Sequence, residues 1–325
     1  MFHWDDGLFL NAPRLALDVR RGQPHAFMSH AHADHIGPHR MAFCTRETAL
    51  IFKLRRGGRT DLRELRYREP MEWGGVRLTA YPAGHCLGSA MLLVEGVEVD
   101  GRERSLLYTG DYKLGTSATC EAAEFPHADV LIMESTFGKP RYRLPPREET
   151  VENLISLVHR TFNDGHTPVI HAYQLGKSQE ATALLTSAGI SVRQHPSIYE
   201  ISQLYQSCGV DLGDVAAYDP DENCQAAVIT FPKSSPHFRM RGLERPVSIA
   251  LTGWAVDAAT AYRWQVDHAL PLSDHADFEE LMQTPALAGA EQVYCTHGPR
   301  EFVEHLRAAG VDARPVQGSY QLRMF

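Results

Sequence analysis

The stretch Ser29-His30-Ala31-His32-Ala33-Asp34-His35 sets four candidate metal-ligand side chains within six residues, directly after the apolar Ala26-Phe27-Met28. A strand has a side-chain period of two, so it can deliver His30 and His32 on one face. A turn into a following helix can then swing Asp34 and His35 around a second position. The layout is dinuclear. Imidazoles and carboxylates suit zinc, with manganese or iron(II) as competitors, and donor type alone does not choose among them. A packed core, by contrast, would have to satisfy three close imidazoles and an acid without an ion.

The rest of the chain supplies further donors, each at the end of an apolar run. His85 lies in Ala83-Gly84-His85-Cys86-Leu87-Gly88-Ser89, where glycines let the backbone turn close to a ligand. Asp111 follows a strand at 105–108, placed to bridge two cations, and Glu134 follows the apolar run 130–133. His275 sits in Leu272-Ser273-Asp274-His275-Ala276-Asp277, at the opening of a helix. His297 sits at a further strand-to-helix transition, and Asp18 ends an early short strand as a candidate brace for a histidine. Repeated strand-then-polar-loop units put the chemistry along one edge of paired sheets.

Four other features qualify this reading. The six cysteines contain no CxxC pair and suggest neither a disulfide framework nor a zinc ribbon. The formal charge of −8 argues against a broad basic coat, yet a local groove can still be positive. The run 53–68 is rich in arginine and reads equally well as a phosphate guide or as a solvated face. No secretory leader or membrane-spanning stretch is evident, so a soluble, cytoplasmic protein is expected.

After Pro140 the pattern changes to helices alternating with short strands, as expected of an α/β segment with a parallel sheet. Lys177 and Ser178, in Gly176-Lys177-Ser178-Gln179-Glu180, open a predicted helix where a phosphate can be met. The full GxxxxGK[ST] loop is missing, since position 171 is histidine. Trp254 is a candidate base-stacking side chain, with a packed indole as the plainer alternative. We also expect a brief helical turn over 36–40, helices over 46–56 and 300–309, and a closing strand or two before the end of the chain.

The cluster at 30–35 resembles the HxHxDH signature of the metallo-β-lactamase fold. With His85, Asp111, Glu134, His275 and His297 in order, nearly the whole chain resembles the β-CASP branch of metallo-β-lactamase nucleases, above all the bacterial DNA-ligase-associated exonuclease group. The resemblance implies an αββα sandwich, over 1–144 and 246–325, with a β-CASP α/β domain inserted over 145–245. It implies one metal site of His30, His32, His85 and Asp111 and a second of Asp34, His35, Asp111 and His297. Two divalent ions, zinc or manganese, would hold a bridging hydroxide that attacks phosphorus, with Asp34 and Asp111 part of the reacting centre. It further implies His275 as general acid, oriented by Glu134.

Hydrolysis of DNA by an exonuclease in repair is then the expected function, on a single strand or exposed end, in functional association with a DNA ligase and a repair helicase. His297 and the Gly176-Lys177-Ser178 segment also resemble RNA-processing members, which keeps a ribonuclease J-like or polyadenylation-endonuclease-like activity as the alternative. A small-molecule hydrolase or a non-catalytic scaffold fits the late histidines less well.

Overall fold

A computed structural model of the chain describes residues 1–222 and 224–316. It divides into two compact units: Met1–Thr116, Cys120–Pro140 and the chain from His275 on form one, and Ser117–Thr119 with Arg141–Asp274 the other.

The first unit is built from alternation. In the strands Leu15–Leu17, His25–Phe27 and Met41–Cys44, Leu15, Leu17, Phe27, Met41 and Phe43 face one way, while Ala16, Ala26, Ala42 and Cys44 face the other. The larger residues pack against Leu78, Leu92, Val94, Leu106, Tyr108 and Ile132 of a second sheet, giving one core between two layers. The smaller residues leave room on the outer face for Phe52 of the helix Arg46–Arg56. Thr45 caps that helix, accepting from the Thr48 backbone N–H, and Gly57 ends it with φ 58°.

The first sheet runs Phe2–Trp4, Leu8–Leu10, Leu15–Leu17, His25–Phe27, Met41–Cys44 and Asp61–Glu64 in order, parallel from the third strand onward. The second places Val130–Glu134 between Arg102–Tyr108 and Gln292–Thr296, parallel to both. Parallel pairing brings the C-terminal ends of these strands to one edge, and Thr109, Ser135 and His297 follow directly from it. This is the sandwich the sequence implied.

The second unit is an all-parallel sheet of six strands, in the order Val215–Ala217, Val192–Gln194, Ala227–Thr230, Thr167–His171, Pro246–Leu251 and His268–Leu270. Its core joins Ile170, Ile229 and Ile249 to Leu154, Val158, Leu185 and Ile198 of the flanking helices.

Two expectations need correction. Position 246 is not where the chain returns to the sandwich: Pro246–Leu251 pairs with Thr167–His171, and the second unit runs on to Asp274. An isolated apolar strand carries no mark of which sheet will bond it. The helical turn expected at 36–40 does not form. Pro38 lacks an amide proton and holds Gly37 away from the α region. Of the closing strands, Ala313–Pro315 is present, and the remainder of that expectation lies outside the described residues.

Candidate metal centre

The strand His25–Phe27 stops before the histidines, so His30 and His32 stand in a loop rather than on a strand face. The loop brings them together nonetheless. His30 Nε2 and His32 Nδ1 are 2.9 Å apart, and His85 Nε2 is 3.0 Å from the same His32 nitrogen. Asp111 Oδ2 is 3.6 Å from His30 Nε2, and one donor atom from each of the four residues lies within 4.8 Å of all the others. Donors around a tetrahedral zinc with bonds of ~2.1 Å stand about 3.4 Å apart. The donor set fits one such ion.

The second set is linked in pairs through His35. Its Nε2 is 3.2 Å from Asp111 Oδ2 and 3.7 Å from Asp34 Oδ2, so Asp111 is shared between the two sets. The His35 and His297 rings are 5.6 Å apart. His297 has left-handed backbone, φ 54°, and its buried Nδ1 has no hydrogen-bond partner among the described residues. A strained residue holding an unsatisfied nitrogen beside such a cluster is the observation expected of a ligand. Gly298 allows this: a Cβ there would stand 1.9 Å from the Ser135 carbonyl oxygen.

Asp18 organises both sets from behind, and it too has a left-handed backbone, φ 49°. Its Oδ2 accepts from His35 Nδ1 at 2.9 Å, from the Tyr108 hydroxyl at 2.9 Å and from the Ser29 hydroxyl at 2.5 Å. Its Oδ1 accepts from the Ser29 amide at 2.7 Å. With its own proton given to Asp18, Ser29 Oγ accepts from His30 Nδ1 at 2.9 Å. Both imidazoles thus spend Nδ1–H on the brace and turn Nε2 toward the donor cluster, the tautomer a metal requires. Asp18 was legible as a brace, whereas Ser29 and Tyr108 were not. Arg55 was also missed as a site residue; its guanidinium donates to the Ala31 carbonyl within the histidine loop. Only the i+24 closure through the helix reveals that contact.

Burial pushes the His30 imidazole well below its ordinary range, and the neighbouring His35, His85 and His32 push the same way. Burial also acts against a charged His35, but Asp111, Asp18 and Asp34 outweigh it and raise that imidazole well above the usual value. Burial disfavours ionised Asp111, yet His35 holds its carboxyl well below the carboxylate range.

His275 and Glu134 stand beside this cluster. His275 Nδ1 lies 2.9 and 3.1 Å from the two Glu134 carboxylate oxygens. Glu134 is fully buried, and its Oε1 also accepts from the Tyr112 amide at 2.9 Å. The His275 and His85 rings are 4.7 Å apart. Glu134 thus occupies Nδ1 of the His275 ring and fixes its orientation.

The candidate substrate contacts in the second unit have internal partners. Lys177 is buried, with its ammonium 2.8 Å from Asp274 Oδ1. The buried Ser178 hydroxyl donates to the Tyr173 carbonyl at 2.6 Å. Trp254 is half-buried, packed edge-on to Tyr142 with ring centroids 4.9 Å apart. The plainer readings of these residues account for what they touch.

A family model described as the Beta-lactamase superfamily domain matches residues 10–189, more than half of the chain. The chain is 33% identical over 327 residues to a probable DNA ligase of Opitutus terrae, covering 99% of this chain and 32% of that protein. It is 34% identical over 308 residues to an endoribonuclease of Kluyveromyces lactis, covering 75% of this chain and 39% of that one. The chain thus spans well under half the length of these curated relatives. A protein of unknown function from Enterococcus faecalis has a solved structure with a TM-score of 0.56 and 16% identity, covering 83% of this chain and 74% of its own, a likeness of fold. With the two-sheet sandwich and the histidine loop at its strand ends, the match over residues 10–189 shows that the chain belongs to the beta-lactamase superfamily.

Proposed function

We propose that the chain is a metal-dependent nuclease that hydrolyses DNA phosphodiesters, acting as an exonuclease on a single strand or exposed end in repair. The observation that carries the reading is the pairing of a convergent His30–His32–His85–Asp111 donor set with a separate, carboxylate-oriented His275. Zinc is the first choice of ion, and manganese the alternative. Divalent ions held at these residues supply Lewis acidity toward water and the phosphoryl oxygens.

The chain's own residues do the rest. Asp18 and Ser29 fix the Nε2 faces of His35 and His30, and Asp111 ties the two ligand sets together. Glu134 holds His275 by Nδ1, and in this reading Nε2 hands a proton to the departing oxygen. Asp34, beside His35 on the more open side, completes the second set. The match of 99% of the chain to part of a protein named as a probable DNA ligase supports action beside strand joining. A second reading, cleavage of RNA, is favoured by the match to an endoribonuclease over three quarters of the chain.

The test is product mapping on matched 5′- and 3′-labelled single strands of DNA and RNA, using protein of defined metal content and Asp111→Asn as control. Stepwise products from DNA, with turnover lowered by about 10³-fold or more in the variant, are the expected result. Faster cleavage of RNA transfers the assignment to RNA processing. Unchanged turnover by metal-free protein would overturn both.

A further inference from the structure

The arginine-rich run was ambiguous because a sequence cannot show which cations are already paired. The structure separates them. Arg63 is held by Asp61 at 2.9 Å, Arg66 by Glu64 at 3.2 Å and Arg68 by Glu124 at 2.6 Å. Arg56 and Arg59 have no carboxylate at ion-pair distance among the described residues, and neither does Arg40 from a separate segment. These three exposed arginines line one cleft of about 770 Å³ in the first unit, walled by Phe52 and His39.

His39 lines the same cleft. Its side chain is 2% exposed, and its Nδ1 accepts from the Gln23 amide at 3.2 Å. Burial lowers its pKa, so the ring is neutral at neutral pH and its proton lies on Nε2. That Nε2 is buried and has no hydrogen-bond partner among the described residues.

A bland account covers only part of this. Lys53, Arg55 and Arg56 in the last helical turn offset the negative end of the helix dipole. That argument does not reach Arg40 or Arg59. The overall charge of −8 makes the concentration of unpaired cations more pointed.

We propose that the His39–Arg40–Arg56–Arg59 cleft is an accessory phosphate site that holds the backbone of a nucleic-acid strand. It is not part of the candidate metal centre. The histidine loop follows the C-terminal end of His25–Phe27, whereas Pro24, Arg40 and Thr60 precede the N-terminal ends of three parallel neighbours. The cleft therefore lies at the opposite end of that sheet, where it anchors strand without touching the reacting atoms. This inference rests on the nucleic-acid reading given above.

The experiment is fluorescence anisotropy of a labelled single strand over a salt series, with full-length protein in chelator so that cleavage is silent. The double variant Arg56→Ala/Arg59→Ala is compared with Arg63→Ala/Arg66→Ala, which removes the same charge from paired positions. The first should bind about 5–30-fold more weakly and lower the log–log salt slope by about 1–1.5, at ~0.7 per phosphate contact on a single strand. The second should leave the slope nearly unchanged.

Equal affinities and slopes for wild type and the Arg56/Arg59 variant would overturn the site. Absence of strand binding by the wild type would instead remove the nucleic-acid reading itself. A parallel titration with inorganic phosphate, read by the ring resonances of His39, separates the sources. Saturation by inorganic phosphate together with unchanged strand affinity in the Arg56/Arg59 variant identifies a small-anion site and also overturns the assignment to strand.

Discussion

Residues 29–35 and residues 176–180 are alike in sequence terms: each is a polar cluster that follows a strand. In the histidine loop, the polar atoms turn outward from their braces and converge on a common point. At 176–180 every polar side chain turns inward. Lys177 meets Asp274, Ser178 meets the Tyr173 carbonyl, Gln179 Oε1 accepts from the Gly176 amide, and Glu180 meets Arg147 at 2.6 Å. The difference is not one of residue type. One cluster leaves donor capacity pointing at a shared position, and the other consumes it.

The sharpest way to break this comparison is Lys177→Met. Removing one partner of a buried ion pair leaves the other charge in a poor environment, which costs about 3–5 kcal/mol. Thermal unfolding should move down accordingly, with metal content unchanged. If stability holds and strand affinity falls instead, Lys177 belongs with the binding residues and the contrast fails.

Asp18→Asn probes the other side at a smaller scale. Loss of the charge behind His35 and Ser29 should weaken metal binding or activity by about 10–100-fold. Folding in chelator should change far less than in the Lys177 variant. Metal titration monitored by a competing chelator measures the first effect, and thermal unfolding of the metal-free protein measures the second. Metal affinity equal to wild type would show that Asp18 merely buttresses the loop.

How far such a contrast could be read beforehand depends on the range of the interactions. Period-two alternation at 15–17, 25–27 and 41–44 is local, so the strands and their inward faces were legible. The ordered donors at 30–35, 85, 111 and 297 could be picked out because each follows an apolar run; the runs before 111 and 297 end at one edge of the second sheet, and the run before 30–35 belongs to the first. The pairing of Lys177 with Asp274 was not, since the two lie far apart in the chain and either residue alone looks available. The same blindness to long-range pairing misassigned Pro246–Leu251, whose sheet is chosen by Thr167–His171. Tyr108 was read only as the end of a core strand; its hydroxyl reaches Asp18 through the sandwich.

The two helix starts at Gly176 and Asp277 refine the lesson with the smallest expected effect. Each has an N3 side chain reaching back to its N-cap amide: Gln179 to Gly176 at 2.8 Å, and Glu280 to Asp277 at 3.0 Å. The first cap is neutral and the second ionisable. Burial raises the Glu280 carboxyl to about 7 from an ordinary value of 4.5, with Asp277 adding repulsion while the Asp277 amide and Lys113 pull the other way. A carboxyl raised on folding contributes stability that is present below about 4.5 and is lost as pH climbs through about 7. Glu280→Gln gives this helix the neutral cap of its counterpart, with an amide oxygen still able to accept from Asp277. Relative to wild type, the variant should gain stability between pH values of about 4.5 and 7 and run parallel to it above that window. Melting temperatures of both proteins across this range are the measurement. Curves parallel throughout would mean that Glu280 keeps its charge as easily in the folded chain as in the unfolded one, and that capping chemistry, not burial, governs both helix starts.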